Sequence, residues 1–321
     1  MSKGHAIVVG FCIDETKFVN VDDLTTVVQR LNELLSTIHN RQGQQVYKSP
    51  NLDYIEIVEG VELCSLLYNG GLRLLDQDDR MLLIAALNRC VGLDSLEFEI
   101  PDGEVSIAGE SVESETVLFA IAKALSKEAI GIIHPKPVER LGPLEATVGA
   151  HSTQVFHVGL SLPLEEFYRF MISLEEVSRQ DFPKWTSFAF ERLRFALDPG
   201  SQIGRFKQKY EAIRDDIIKH LSAINDEFVS MLVEGEQLAD VCNRIKAECG
   251  VNISTESPKT HGNASAMKER EVVFEGSRIV CEFHSKLTPT HDRIHFSPTL
   301  RKDKHERPYL VIGPFAEHLK T

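Results

Sequence analysis

Ionisable side chains alternate with apolar ones along two predicted strands near the end of the sequence. Glu282, His284 and Lys286 occupy every second position of the first strand, and Arg293 and His295 repeat the pattern in the next. Successive side chains of a strand point to opposite faces, so the ionisable groups of each strand share one face. If the apolar faces of both strands pack on the core, these five groups combine into one polar surface patch.

Such a patch has the groups that metal-free cleavage of RNA requires. A general base takes the proton of the 2′-hydroxyl, a general acid protonates the leaving 5′-oxygen, and a fixed cation stabilises the charge on the phosphorus. Histidine titrates near neutral pH, and arginine binds phosphate oxygens through two parallel hydrogen bonds. No cofactor is needed. We assign His284 or Glu282 as the base, His295 or His318 as the acid, and Lys286 and Arg293 as phosphate-binding cations.

The last fifty residues also show an order of strands known from another group of proteins. A strand containing His284-Ser-Lys is followed by Asp-Arg-Ile-His-Phe (292–296) and by an apolar strand that ends before His318. Over residues 270–319 this order resembles the RelE/HigB-type toxin ribonucleases. The resemblance implies a small sheet with a basic catalytic face that cuts RNA without metal, in which Arg293 matches the family's second-strand arginine. The family's terminal catalytic group is often tyrosine, and its helical hairpin does not directly precede this sheet.

The same polar face permits a metal site as an alternative. Glu282 and His284 are two residues apart on one strand face, a spacing that places two ligands on one cation. His295 on the next strand offers a third ligand. The Glu-x-Lys pattern of metal-dependent restriction-type nucleases is not met, because Glu282 and Lys286 are four residues apart.

A second ribonuclease pattern lies in a predicted helix. Arg214 and His220 are separated by five residues, and a polar residue directly follows the arginine. This spacing resembles the signature of HEPN ribonucleases and implies a site in the helical region. Residues six apart do not share a helix face cleanly, so a solvated arginine and a helix-surface histidine explain the same spacing.

A non-catalytic protein is the remaining alternative. Charged residues on the outer face of a half-exposed strand are what solubility alone produces. The chain would then be an adaptor, or a subunit of a defence or regulatory complex, whose basic end binds an acidic partner. Five histidines between residues 284 and 318 are more than a solvated face requires, and they favour the ribonuclease.

The charges are divided unevenly along the 321 residues, whose net charge is −13. From residue 261 onward there are ten Lys and Arg against eight Asp and Glu, whereas the preceding residues carry 25 against 40. An acidic body would repel RNA except at the active face, so we expect the N-terminal region to regulate the activity or to bind a protein partner. The expected function is an intracellular effector of the toxin or phage-defence type.

The composition of the chain indicates where in the cell the protein is expected. Hydrophobic residues make up 42% of the chain, but no run approaches the roughly 20 apolar residues of a membrane span, so no membrane contact is expected. The six cysteines are scattered and contain no Cys-x-x-Cys pair, which predicts reduced core residues and a cytoplasmic protein.

Hydrophobic periodicity predicts an α+β protein in three regions. Residues 1–160 form a mixed α/β domain of open strand order, residues 161–250 a helical segment, and residues 251–321 a small antiparallel sheet, with a polar loop after Ser257-Pro258. The predicted helices cover residues 24–38, 76–90, 112–125, 164–178, 206–232 and 236–249. The predicted strands cover 6–13, 54–58, 103–108, 129–134, 153–158, 271–274, 278–287, 293–296 and 309–312.

Overall fold

The chain divides into two compact units, Met1–Phe167 and Tyr168–Thr321. The structure, a computed structural model, describes residues 9–18, 23–41, 43–68, 74–99, 102–136, 138–161, 163–175, 177–317 and 319–320. The class is α+β with a small, largely antiparallel C-terminal sheet, as predicted. The predicted helical segment and C-terminal sheet lie together in the second unit. None of the helices in these ranges has both the length and the apolar character needed to cross a bilayer.

The first unit contains ten strands within the described ranges. They are Val9–Ile13 (β1), Gln44–Lys48 (β2), Glu56–Val58 (β3), Val61–Glu62 (β4), Val91–Gly92 (β5), Val105–Ile107 (β6), Glu110–Ser111 (β7), Ala129–His134 (β8), Gly142–Val148 (β9) and His151–Gly159 (β10). The helices are Leu24–His39 (α1), Leu63–Tyr68 (α2), Gln77–Asn88 (α3), Glu115–Leu125 (α4) and Leu164–Ser173 (α5), the last of which crosses the boundary between the units. Short 3-10 helices cover Glu15–Phe18, Leu52–Tyr54 and Leu93–Ser95.

A mixed sheet organises this unit, in the order β5-β2-β1-β8-β10-β9-β6-β7. The five neighbouring strands β5, β2, β1, β8 and β10 are parallel. Beyond β10, the strands β9, β6 and β7 each pair antiparallel with the preceding one. Every residue of β1 and β8 is buried, as expected for central parallel strands covered on both faces. In the sheet, β2 and β5 lie on one side of β1. The later strands β8 and β10 lie on its other side. The strand order therefore reverses between β1 and β8.

No helix or strand is predicted from the sequence between residues 135 and 152, where β9 is found. Its burial alternates, and it forms a long hairpin with β10. Pro143 is compatible with the strand because β6 pairs only with residues 146–148, so β9 is an edge strand at Pro143, where a missing N–H is tolerated. Gly142 and Pro143 are therefore the first two residues of a strand, although glycine and proline usually interrupt one.

The second unit contains helices and strands that alternate irregularly. The α-helices after α5 are Phe182–Ala189 (α6), Pro199–Ile203 (α7), Tyr210–Ala223 (α8), Val229–Val233 (α9), Leu238–Cys249 (α10), Pro258–His261 (α11) and Ala264–Lys268 (α12), and a π-helical turn, Ile224–Phe228, joins α8 to α9. The strands are Leu193–Phe195 (β11), Ile253–Thr255 (β12), Glu271–Phe274 (β13), Ser277–Val280 (β14), Phe283–Lys286 (β15), Arg293–Phe296 (β16), Arg301–Lys302 (β17) and Pro308–Ala316 (β18).

The main sheet of this unit has the order β11-β18-β16-β15-β12, with β17 paired to β18. All neighbours are antiparallel except β11 and β18. One face of the sheet packs on the helical segment: Phe228 of the π-helical turn contacts Phe283 and Phe296, with ring centroids 6.3 and 5.2 Å away. The helical segment therefore supplies the core of this sheet.

Two sequence predictions are wrong in this unit. Residues 278–287 are not one strand, because β14 pairs with β13 in a separate hairpin and β15 belongs to the main sheet. The polar stretch after Ser257 is not a loop but forms α11 and α12. Ser257 caps the first helix through Thr260 N (3.1 Å), and Asn263 caps the second through Ser265 N (3.1 Å). Both are ordinary helix-start residues, so the signal was present in the sequence.

Candidate metal centre

The pairing of β15 with β16 brings four of the predicted site residues together. His284 lies opposite His295, and Lys286 lies opposite Arg293. Directly opposed residues of an antiparallel pair have their side chains on the same face of the sheet. The two imidazole rings are 5.3 Å apart between centroids. The alternation in the sequence thus corresponds to one shared face.

The shared face is not the solvated patch that the sequence predicts. His284 is 6% exposed and His295 is 1% exposed, whereas Lys286 and Arg293 are partly exposed. β12 pairs with β15 on the edge away from β16 and places Ser254 opposite His284 on the same face. They therefore belong to the protein interior, with the two cations nearer to solvent.

Two of the predicted residues do not join this group in the described structure. Glu282 precedes β15, its side chain is 38% exposed, and its Oε2 lies 3.9 Å from His261 Nε2. His318 lies outside the described residues. The carboxylate that we expected beside His284 is thus not that of Glu282.

Glu256 supplies the carboxylate instead, and sequence reasoning missed it. Ser254 of β12 lies opposite His284, so Glu256, two residues further, falls on the same face. Its Oε1 lies 3.1 Å from His284 Nδ1 and 3.6 Å from His295 Nδ1. The only hint in the sequence was the spacing of two between Ser254 and Glu256 in a short polar stretch, which does not reveal the partner strand.

Arg270 is the counter-ion of this carboxylate. Its Nε lies 2.7 Å from Glu256 Oε1, and its Nη1 donates to the carbonyl oxygens of Ala266 (2.7 Å) and Lys320 (3.0 Å). The arginine is 1% exposed, so the ion pair is fully buried. Burial alone would raise the pKa of Glu256, but hydrogen bonds and charge from His284 and Arg270 outweigh it and hold that pKa at about 2.

Both histidines of the cluster are neutral near neutral pH. Burial, together with the neighbouring His284, lowers the pKa of His295 to about 3. Burial also lowers the pKa of His284, although the hydrogen bond and charge of Glu256 act in the opposite direction. Neutral imidazole is the form that ligates a metal ion.

Of the two histidines of the cluster, His295 is the one whose ring nitrogens are unsatisfied. Neither Nδ1 nor Nε2 of this buried ring has a hydrogen-bond partner among the described residues. His284, by contrast, also has Ser254 Oγ 3.1 Å from its Nε2. A buried polar group without a partner is costly, and an ion is one of the few features that account for it.

Together Glu256, His284 and His295 can hold one cation. Each contributes one ligand atom, and these atoms all lie within 4.8 Å of one another. Two imidazoles and one carboxylate form a ligand set typical of zinc and other transition metals, and unlike the all-oxygen sets of Mg²⁺ and Ca²⁺. The sequence predicted a metal alternative on this face, with Glu282 in the place that Glu256 takes.

The HEPN-like pair of α8 is used in packing. Arg214 Nη1 donates to the carbonyl of Leu174 at 2.6 Å. His220 is buried rather than on the helix surface, its Nδ1 lies 2.6 Å from Ser285 Oγ on β15, and burial lowers its pKa to about 4. These contacts tie α8 to its neighbours.

Comparisons with protein-family models, with curated proteins and with solved structures found no match. The resemblance of residues 270–319 to the RelE/HigB-type toxins therefore stays a hypothesis from the sequence.

Proposed function

We propose that the C-terminal unit is a metal-binding module in which Glu256, His284 and His295 hold one divalent ion of the zinc class. The observation that carries this proposal is His295, a fully buried imidazole with neither nitrogen bonded, placed beside a second histidine and a carboxylate. A cation bound there would satisfy the lone pair of one of its nitrogens.

The distances within the cluster support the proposal. Zinc binds nitrogen and oxygen ligands at about 2.0–2.2 Å, which places tetrahedral ligand atoms roughly 3.4 Å from one another. The separations of Glu256 Oε1 from the Nδ1 atoms of His284 and His295 are 3.1 and 3.6 Å. Small rotations of the side chains would therefore complete the coordination. Ser254, beside His284 Nε2, would orient that ring from behind, as partners of metal-bound histidines commonly do.

Charge balance indicates what else such an ion would bind. Glu256 and Arg270 neutralise each other, and the two histidines are neutral, so a divalent ion adds two uncompensated positive charges. Lys286 and Arg293 lie on the same face and add further positive charge. The fourth coordination position would therefore favour hydroxide or another anion, such as a phosphate oxygen.

The metal-free ribonuclease remains a prediction with less support. It requires His284 and His295 to reach a ribose hydroxyl and a leaving oxygen, whereas both are buried. Binding of RNA or of an acidic protein partner likewise stays a hypothesis. Ligation of a metal ion needs no contact between the histidines and a large substrate.

The experiment is a calorimetric titration of the metal-depleted full chain with Zn²⁺. We expect one ion per chain, and we expect His295→Asn to weaken binding by more than 100-fold, because the loss of a mere supporting partner already costs 10–100-fold. His220→Asn is the matched control, since it removes another buried histidine of the same unit. Far-ultraviolet circular dichroism checks that the variants fold. Absence of binding by the wild type, or equal binding by His295→Asn, would refute the proposal.

A further inference from the structure

A second polar site lies in the N-terminal unit, independent of the metal centre. A cavity of about 660 Å³ is lined by Asp14, His134 and His157. Asp14 directly follows β1, His134 is the last residue of β8, and His157 lies on the adjacent β10. The cavity thus lies at the carboxyl ends of parallel strands where the strand order reverses. Open α/β sheets bind their ligands at this position.

The three residues form a chain of polar contacts. Asp14 Oδ1 accepts hydrogen bonds from the backbone N–H and the hydroxyl of Thr16, at 3.1 and 2.7 Å. Its other oxygen, Oδ2, lies 3.2 Å from His134 Nδ1, a charge contact that does not have the angle of a hydrogen bond. His134 Nε2 lies 2.7 Å from His157 Nδ1. His157 Nε2, at the end of the chain, is buried and has no partner among the described residues.

The charge of the Asp14 carboxylate determines the direction of the hydrogen bond between the two histidines. Burial alone would raise the pKa of Asp14, but the neighbouring His134 and the hydrogen bonds from Thr16 lower it, so Asp14 is ionised and can only accept. A neutral His134 must then carry its proton on Nδ1. Its Nε2 therefore accepts from His157 Nδ1–H, and His157 is left with a free lone pair on Nε2. Burial and the neighbouring His134 lower the pKa of His157 to about 3, which keeps this ring neutral.

We infer that His157 Nε2 is a general base for a small polar molecule bound in this cavity, with Asp14 and His134 as positioning residues. In the proton transfer, Nε2 of His157 takes a proton from a hydroxyl, an amine or a water molecule. The Nδ1 proton of His157 passes to Nε2 of His134, which becomes an imidazolium beside the Asp14 carboxylate. The positive charge gained with the proton therefore lies on His134, next to the negative charge of Asp14.

The lining of the cavity narrows the class of molecule. Its volume suits a metabolite-sized ligand rather than a polymer. Charged side chains of both signs surround it: Lys17, Lys136, Arg140, Glu110, Glu113 and Glu139. The N-terminus of α4 borders the cavity but is already satisfied, because the Glu15 carboxylate accepts from Ser114 Oγ (2.8 Å) and Glu115 N (2.6 Å). A neutral or zwitterionic molecule with an exchangeable proton fits this lining better than a lipid or a lone anion.

Asp14→Asn is the decisive variant because its geometry is determined by Thr16. The two Thr16 donors hold the amide oxygen at the Oδ1 position, so the amide nitrogen faces His134 Nδ1. His134 must then carry its proton on Nε2 and donate to His157 Nδ1. His157 in turn carries its proton on Nε2 and ceases to be a base. The substitution thus reverses the hydrogen bond between the two histidines and keeps the shape of the site.

The first measurement is nitrogen-15 NMR of the full chain with labelled histidines. It reads directly which nitrogen of each ring carries the proton. We expect His157 to be protonated on Nδ1 in the wild type and on Nε2 in Asp14→Asn, while the exposed His151 of the same strand stays unchanged. A wild-type His157 protonated on Nε2 would overturn the inference, and so would an unchanged tautomer in Asp14→Asn.

The second measurement tests whether the lone pair can be reached from the cavity. Diethyl pyrocarbonate acylates unprotonated imidazole nitrogens, and peptide mass spectrometry follows each histidine separately. We expect modification of His157 in the wild type, at least tenfold slower modification in Asp14→Asn, and an equal rate at His151 in both proteins. A His157 that stays unmodified while His151 reacts, or an equal rate in both proteins, would refute the role as a base.

Discussion

Replacing Glu256 by Gln in metal-depleted protein should lower the free energy of unfolding of the C-terminal unit by about 3–5 kcal/mol, since the change leaves a buried Arg270 without its counter-ion. The lowered pKa of Glu256, which has the same contacts as its cause, gives a magnitude in the same range. A value of about 2, against an ordinary value of 4.5, corresponds to roughly 3 kcal/mol. Urea unfolding followed by circular dichroism measures the difference.

The pH dependence of the same variant tests the direction in which the pKa of Glu256 is shifted. The pKa of Glu256 is lowered on folding, so its contribution is fully present above about pH 4.5 and is lost as the pH falls towards 2. The gap in stability between wild type and Glu256→Gln should therefore close over this interval. Glu282→Gln is the matched control, because its carboxylate is partly exposed and the expected change is below about 0.5 kcal/mol. Equal losses in both variants, or a gap that persists at pH 2, would refute the buried ion pair.

Three further predictions concern the core, a helix start and a buried histidine. Phe228→Ala should cost about 3–5 kcal/mol in urea unfolding, because this buried ring contacts Phe283 and Phe296; a loss below 1 kcal/mol would contradict that packing. Ser114→Ala should cost about 1 kcal/mol by the same assay, because the Ser114 hydroxyl caps α4; an unchanged stability would show that Glu15 suffices there. The pKa of His157 is lowered to about 3, so its contribution is complete above about pH 6.5 and declines towards pH 3. His157→Gln should therefore flatten the fall in stability over that interval, and an identical slope would refute the buried neutral ring.

Local patterns in the sequence were sufficient for many of the elements. The apolar stripe of α1 is buried as its periodicity predicts, and α10 ends at Gly250 in a left-handed conformation. The hairpin of β13 and β14 turns at Glu275-Gly276, between the strands predicted over 271–274 and 278–287. Alternation along β15 and β16 correctly grouped His284 with His295. Each of these features depends on residues within a few positions of one another.

The sequence predictions that were wrong concern features formed by residues far apart in the chain. β12 is only three residues long, and it brings Glu256 to a histidine 28 positions further along the chain. Alternation shows which side chains share a face, but it cannot tell whether another strand or a buried arginine covers that face. The prediction of a solvent-exposed patch was therefore wrong in exposure, and right in grouping for His284, Lys286, Arg293 and His295 but not for Glu282. The cavity beside His157 depends on parallel strand order, which periodicity does not give.

X-ray absorption at the zinc edge of the Zn²⁺-loaded full chain tests the metal centre most directly, because it identifies the ligand atoms themselves. We predict two imidazole nitrogens from His284 and His295 and one carboxylate oxygen from Glu256, at about 2.0–2.2 Å, without sulfur. His295→Asn should lose one imidazole contribution. A shell that contains sulfur, that lacks imidazole, or that is unchanged in His295→Asn would contradict the centre.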